Sequence, residues 1–203
     1  MANTKIHNLV PPMGWLQLAS PRLLPMDRRQ LPTIPRIVLK RMTRRANVSA
    51  PNLFLTLIRN RNFFRQWAFF ASRLMPNGLL DRQDTELVIL RTAWLSRSKY
   101  EWYQHVLISL DCGLLPVEIE KVAQWPQAGG FTGHRAELLN AVDEIHELGA
   151  ISDATWSRLS NHYEDTKMIE LCMLIGHYRM LANVINTLGI SVEDSLDAAI
   201  KNI

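Results

Sequence analysis

Apolar residues recur at helical spacing through most of this chain, and capping residues, glycines and prolines divide them into separate segments. Asp81 is a typical helix N-cap, whereas Gly113, Gly149 and Gly189 each follow an apolar helical pattern where a helix should end. No stretch shows the sustained alternation of apolar and polar residues that predicts a β-strand. The sequence therefore predicts an all-α fold, a single multi-helix bundle of nine or ten helices.

The first 35 residues have a different character, because they contain six prolines. Proline fixes φ and removes a backbone donor, which blocks a regular helix. We predict an extended, irregular N-terminal arm over residues 1–35, lying along the body or against a neighbouring subunit. Residues 36–203 are predicted to form the all-α domain.

The composition narrows the class of protein and its location. The 203 residues are 47% hydrophobic and 21% charged, which is enough apolar surface to bury a core and excludes a mostly disordered chain. The two cysteines, Cys112 and Cys172, provide no disulfide framework and favour a reducing compartment. Residues 1–20 make a poor signal peptide, and no apolar run stands out as a membrane span. We expect a cytoplasmic protein without a membrane partner.

Positive charge is concentrated near the N-terminus, since residues 1–60 carry a net charge of +9 and the remainder −5. Such a basic block can contact nucleic-acid phosphates, anionic lipid or an acidic neighbouring subunit. It has no interleaved aromatic residues and no helix-turn-helix pattern, so a solvated helix face or a subunit contact is preferred over nucleic acid. The block consists of Arg28, Arg29, Arg36, Lys40, Arg41, Arg44 and Arg45.

Carboxylate and imidazole side chains with aromatic neighbours are concentrated between residues 86 and 105. Glu101 and His105 are four residues apart and share a helix face, where a carboxylate can orient an imidazole. Glu86 stands on the preceding helix, and a break near residue 97 allows two antiparallel helices to bring it to His105. The three residues form a candidate general acid–base unit. The same spacing is also common on solvated helix faces, and that alternative stays open.

This stretch resembles the carboxymuconolactone decarboxylase / alkylhydroperoxidase D-like family. The resemblance is carried by Glu86, by the segment from Ser98 to His105 (SKYEWYQH) and by the following Gly113 and Glu118, and extends from about residue 37 to residue 190. It implies an all-α bundle that assembles into homotrimers or hexamers.

The peroxidase branch of that family resembles Glu-x11-Cys-x2-Cys-x3-His. Aligned with this chain, the pattern places its glutamate on Glu86, its histidine on His105 and its two cysteines on Ser98 and Glu101. Peroxide reduction in that branch requires a thiolate nucleophile and a resolving thiol, and both are absent at these positions. We therefore do not expect peroxidase activity.

The decarboxylase branch resembles Glu-x3-His, which Glu101 and His105 satisfy. It implies loss of carbon dioxide from a small carboxylated lactone or similar acid, or a related lyase or isomerase step, with no metal or organic cofactor. His105 would shuttle the proton, and Glu86 would orient the His105 imidazole. Glu101 would be a second acid–base group or a gate. Because a second anion repels a carboxylate substrate, Glu101 must be neutral or paired. The expected substrate contacts are Arg91, Ser98, Lys99, Tyr100 and Trp102.

Three questions stay open at the level of sequence. A non-catalytic family member that acts as an oligomeric binding protein or scaffold would keep the fold without the chemistry. His177 and Tyr178 interrupt the last long helical pattern and are either core residues or part of the same pocket. The glycine-containing segment 127–134 either connects two helices or forms a mobile loop beside that pocket.

Overall fold

The computed structural model describes residues 5–27, 29, 52–127 and 129–203. Within these ranges the all-α prediction is confirmed, with nine α-helices, one short 3-10 helix (Ile6–Asn8) and no β-strand. The predicted boundary between the arm and the all-α domain, at residues 35 and 36, and all of the basic block except Arg29 lie outside the described residues. The helices are α1 (Asn52–Leu57), α2 (Arg61–Leu74), α3 (Arg82–Leu95), α4 (Lys99–Asp111), α5 (Pro116–Ala123), α6 (Gly133–Leu148), α7 (Asp153–Ser160), α8 (Asp165–Leu188) and α9 (Asp194–Lys201).

Helix α3 is the central element and packs against α4, α5, α6 and α8. Every side chain from Asp84 to Trp94 is buried. Its apolar residues are spread around the whole helix, as expected for a helix in the interior of a protein, and its buried Asp84, Glu86 and Arg91 each have a charged partner. Asp81 caps the start of the helix, as predicted, and its carboxylate accepts a hydrogen bond from the backbone N–H of Gln83 at 2.9 Å.

A tight turn joins α3 to α4 and folds the two helices into a hairpin. Arg97, inside this turn, has a φ of 54°, in the left-handed region that residues other than glycine rarely adopt. Its guanidinium donates hydrogen bonds to the carbonyl oxygens of Gly14 and Met13, both at 2.7 Å. The N-terminal arm therefore secures the turn that sets residue 86 opposite residue 105.

The described part of the N-terminal arm lies along the helical body. The side chain of Ile6 is buried in the core, although it belongs to the arm. Three backbone hydrogen bonds of 2.9–3.0 Å attach the arm farther along its length. They run from Leu16 to Arg97, from Arg22 to Leu188 and from Met26 to Leu55.

Residues 191–194 (SVED) resemble a capping box at the start of a helix, but the structure does not form one. Helix α9 begins at Asp194, and its N-cap Glu193 makes no hydrogen bond to the helix through its side chain. The Glu193 carboxylate instead accepts hydrogen bonds from the backbone N–H of Asn52 and, at 2.9 Å, from the hydroxyl of Tyr100. The Glu193 side chain thus contacts residues that are distant in the sequence instead of capping its own helix. These contacts join the starts of α1 and α9 to α4.

Helix α8 is the one helix in the described ranges that is long and apolar enough to cross a bilayer. Half of its most apolar window is buried inside the fold. Leu171, Leu174 and Ile175 of this helix pack against α3 and α6 in the core. Its place in the bundle accounts for its apolar composition.

Arg91 and Asp143 join α3 to α6 through two hydrogen bonds of 2.6 and 2.9 Å. Asp143→Asn leaves the buried guanidinium without its counter-charge, so we expect the free energy of unfolding in urea to fall by about 2–3 kcal/mol. Lys201→Ala removes an exposed pair with Asp197 and should cost less than about 1 kcal/mol. Equal losses in the two variants would contradict a structural role for the Arg91 pair.

Candidate active site

Glu86 and His105 form a buried hydrogen-bonded pair between α3 and α4. The Oε2 atom of Glu86 lies 2.7 Å from Nδ1 of His105, and the Glu86 side chain is completely buried. The other carboxylate oxygen of Glu86 pairs with the guanidinium of Arg82 at 2.8 Å, one helical turn earlier. The carboxylate therefore holds the imidazole on one side while a cation balances its charge on the other.

His105 stands in the wall of a cavity of about 180 Å³ between α2, α4 and α8, closed at one end by α1. Its Nδ1 is engaged by Glu86, which lies behind it, so Nε2 is the ring nitrogen left for a ligand. Most of the wall is apolar, which suits an organic molecule with few polar groups. The apolar part of the wall includes Leu53, Phe54, Trp67, Ala68, Ala71, Met75, Ile108, Leu181 and Ile185.

Glu101 lies in the same wall, one helical turn before His105. It is only 2% exposed, and neither carboxyl oxygen has a hydrogen-bond partner among the described residues. Burial without a counter-charge raises the pKa of Glu101 well above its ordinary value of 4.5, which favours the neutral acid. The cavity thus combines an oriented imidazole with a carboxyl group whose burial favours the uncharged form.

The second half of the chain contributes His177 and Tyr178 to this wall. Tyr178 meets the His105 ring edge-on at 5.1 Å, and His177 stacks on Trp67 at 6.1 Å. Burial lowers the pKa of His177 to about 4, so this imidazole is neutral near pH 7. The sequence left open whether these two residues belong to the core or to the pocket. The structure places both of them at the same cavity as His105.

The structure separates the other residues that were expected to contact a substrate. Tyr100 lines the cavity, and its hydroxyl bonds to Glu193. Lys99 lies instead at a second, more polar hollow and pairs loosely with Asp197 at 4.0 Å. Three residues lie away from the His105 cavity, namely Arg91 in its ion pair with Asp143, Ser98 buried at the start of α4, and Trp102 in the core beside Trp94.

Sequence reasoning missed the contribution of α2, which forms one side of the cavity. Trp67, Ala68, Ala71 and Ser72 all lie in its wall. Small residues on a helix face that otherwise carries large aromatic groups leave space beside them, and that pattern is visible in the sequence. The described residues of the segment 127–134 do not contribute to this wall.

Neither cysteine lies at the cavity. Burial raises the pKa of both the Cys112 and the Cys172 thiols, and the Cys112 thiol is hydrogen-bonded to the carbonyl oxygen of Ser109 at 3.2 Å. A raised thiol pKa opposes the thiolate that redox and nucleophilic chemistry require. Among the described residues, no cluster of histidine, cysteine and carboxylate side chains has the arrangement of a metal site.

Comparison with known proteins identifies a sequence family and a fold. Residues 61–144 match the model of the carboxymuconolactone decarboxylase family, a segment that contains Glu86, Glu101 and His105. This confirms the resemblance inferred from the sequence over that segment. A search of curated proteins found no match.

Solved structures of the alkylhydroperoxidase type share the fold. An alkylhydroperoxidase AhpD core from Ralstonia eutropha JMP134, an uncharacterized peroxidase-related protein, has a TM-score of 0.76 and 18% identity over 89% of this chain and 96% of its own. A peroxidase-related protein from Silicibacter sp. TM1040 has a TM-score of 0.75 and 14% identity over 89% and 93%. The debrominase Bmp8 has a TM-score of 0.75 and 12% identity over 89% and 96%. These identities establish the shared fold.

The burial of Glu101 predicts an unusual pH dependence of stability. Because its pKa is higher in the folded than in the unfolded chain, its contribution should make the free energy of unfolding fall as pH rises above about 4.5. Glu101→Leu should abolish that component and raise the free energy of unfolding at pH 8 by about 1–3 kcal/mol. Urea denaturation at several pH values measures both effects. Glu147→Gln, at an exposed glutamate, is the matched control and should change neither; a destabilised Glu101→Leu protein would contradict this account.

Proposed function

We propose that this protein is an enzyme that moves a proton on a small carbonyl compound by general acid–base catalysis, because residues 61–144 match the carboxymuconolactone decarboxylase family model. Decarboxylation of a carboxylated lactone is the reaction that the family resemblance favours, and a lyase or isomerase step on a related compound uses the same residues. The proposal requires no resident metal or organic cofactor.

The observation that carries the proposal is the Glu86–His105 hydrogen bond beside the cavity. A buried carboxylate on Nδ1 fixes the orientation of the imidazole and presents Nε2 to whatever occupies the cavity. The Arg82 guanidinium balances the charge of Glu86, so the carboxylate can keep this role during the reaction. His105 is therefore assigned as the proton shuttle and Glu86 as its positioning residue.

In a decarboxylation, the bond between the substrate carbon and its carboxylate carbon breaks and carbon dioxide leaves. The electron pair stays on the substrate as a carbanion conjugated with the lactone carbonyl. Protonated His105 donates its Nε2 proton to that carbon, and the neutral imidazole regains a proton from solvent before the next turnover. The substrate itself delocalises the charge.

A neutral Glu101 removes the main electrostatic objection to this chemistry. An ionised carboxylate one turn from His105 would repel an anionic substrate, whereas the raised pKa of Glu101 favours its uncharged form. Arg91, which was expected to bind an acidic group, is already paired with Asp143. No lysine or arginine lies in the described wall of the cavity, so the protonated His105 is the cation that a carboxylate substrate would meet there.

Thiol chemistry is the alternative that the structural relatives suggest, and this chain lacks the residues for it. The debrominase Bmp8 was also solved as a cysteine-to-alanine variant in complex with 2,3,4-tribromopyrrole, so this fold accommodates a small planar ring in that protein. Here Ser98 and Glu101 stand where the peroxidase pattern has cysteines. A non-catalytic binding protein is the second candidate, and it differs from the enzyme in predicting no turnover.

Replacing His105 should abolish most turnover. We expect His105→Ala to lower kcat for a carboxylated γ-lactone by about 100-fold or more, because the proton donor is lost. Glu86→Gln should lower kcat by a smaller factor, because the imidazole stays in place but loses its carboxylate partner. Loss of the carboxylate carbon signal in nuclear magnetic resonance spectra measures the reaction, and circular dichroism checks folding. Equal rates in wild type and His105→Ala would contradict the proposed role.

The two thiols should be dispensable for the same reaction. Cys112→Ser with Cys172→Ser is expected to keep wild-type kcat within about twofold, since neither thiol lies at the cavity. Peroxide consumption with a dithiol reductant tests the competing activity in the same preparations. Rapid peroxide turnover by the wild-type protein would contradict the assignment to acid–base chemistry.

Self-assembly into a homotrimer or hexamer is part of the proposal. Large apolar side chains are exposed on α2 and α8, among them Phe63, Phe69, Ile169 and Met173. Exposed apolar surface of this kind favours contact with another subunit. Light scattering coupled to size exclusion should give a mass of three or six times 23.3 kDa. A mass of one chain at micromolar concentration would contradict the assembly.

A further inference from the structure

The two glutamates of the site have opposite environments, although both are almost completely buried. Glu86 has a histidine and an arginine as partners. Glu101 has none among the described residues, at either oxygen. A buried carboxyl group without a partner is costly, and hydrophobic residues of the same size would pack there without that cost. The described residues therefore supply no hydrogen-bond partner for the Glu101 carboxyl group. A ligand in the adjacent cavity can be that partner.

We infer that Glu101 is a further catalytic residue, which donates a hydrogen bond from its neutral carboxylic acid to the carbonyl oxygen of an uncharged ring ketone or lactone. This inference rests on the proposed function, taken as the isomerase step rather than the decarboxylation, and assigns an uncharged substrate class to the same cavity. Glu101 and His105 are one turn apart on one helix face and share the cavity wall. They can therefore address two neighbouring atoms of one substrate, the carbonyl oxygen and the carbon next to it.

The proton transfers balance without a co-reactant. Nε2 of neutral His105 removes a proton from the carbon next to the carbonyl group, and the C–H electron pair forms a carbon–carbon double bond. The carbonyl electron pair moves onto oxygen, where the hydrogen bond from Glu101 stabilises the enolate. The imidazolium then returns the proton to the same carbon, or to a conjugated carbon, which completes an exchange or an isomerisation.

The remaining wall favours an uncharged ligand. Its described residues include no lysine or arginine, and His177, whose pKa burial lowers to about 4, is neutral near pH 7. Trp67 and Tyr178 provide aromatic surface for a ring. With His105 in the neutral form that enolisation requires, a free carboxylate would lose its hydration in this cavity without gaining a cationic partner, whereas a ketone or lactone would bring only one acceptor oxygen.

Isotope-edited infrared spectroscopy tests this assignment directly. Cyclohexanone labelled with ¹³C at the carbonyl is the probe, and 3-oxocyclohexane-1-carboxylate is its charged counterpart. A hydrogen bond from Glu101 should lower the carbonyl stretching frequency of the bound probe relative to Glu101→Leu. Glu101→Gln, which keeps the shape and a donor, should retain part of the shift. We expect about tenfold weaker binding to Glu101→Leu and no measurable preference for the carboxylate.

Hydrogen–deuterium exchange of the probe in D₂O separates this inference from the proposed function. Exchange that depends on His105, together with a carbonyl shift that depends on Glu101, supports both. Exchange that depends on His105 with the same carbonyl frequency in wild type and Glu101→Leu overturns the role of Glu101 alone. A Glu101-dependent shift without any His105-dependent exchange overturns the enzyme proposal and leaves a carbonyl-binding site. Tighter binding of the carboxylate than of the ketone overturns the substrate class.

Discussion

The hydrogen bond between Glu86 and His105 determines what the rest of the site can do. It spans two helices whose relative position is set by the turn around Arg97, and the N-terminal arm holds that turn in its left-handed conformation. Because Glu86 is completely buried, it needs both His105 and Arg82 to offset the loss of hydration. The bond therefore contributes to the packing of α3 on α4 and at the same time orients a ring nitrogen toward the cavity.

The cavity is formed by elements that are far apart in the sequence. Helix α4 supplies Glu101 and His105, α2 supplies small residues that leave room, and α8 supplies His177 and Tyr178. Leu53 and Phe54 of α1 close one end, and Glu193 fastens that helix through the backbone of Asn52. Function at this site thus depends on contacts between the matched family segment, which supplies α2 and α4, and helices outside it, of which α8 supplies His177 and Tyr178.

The sequence predicted the helices well because their signals are local. The N-cap at Asp81, the glycine ends of α6 and α8, and the break before α4 all follow from residues near each boundary. The pairing of Glu86 with His105 was also predicted, since a short break between two helices restricts how they can pack. Glu193 escaped prediction because its carboxylate serves residues far away in the sequence.

The partners of charged residues were harder to predict for the same reason. Arg91 lies only five residues after Glu86 on the same helix, yet it faces α6 and Asp143. Among the described residues Glu101 has no hydrogen-bond partner, which follows from how three helices pack together, and no spacing pattern along α4 reveals it. The contribution of α2 could be predicted only in part. Its small residues can be recognised in the sequence, but the sequence does not show that they face the cavity.

The protonation of the His105 ring is the most direct test of the central claim. With ¹⁵N-labelled histidine, two-dimensional nuclear magnetic resonance at neutral pH distinguishes Nδ1 from Nε2 and reports which of them carries a proton. The account predicts a protonated Nδ1 with a hydrogen-bonded proton, a change in this signal in Glu86→Gln, and a response of Nε2 to a ligand in the cavity. An imidazole protonated at Nε2 alone, unaffected by Glu86→Gln, would contradict it.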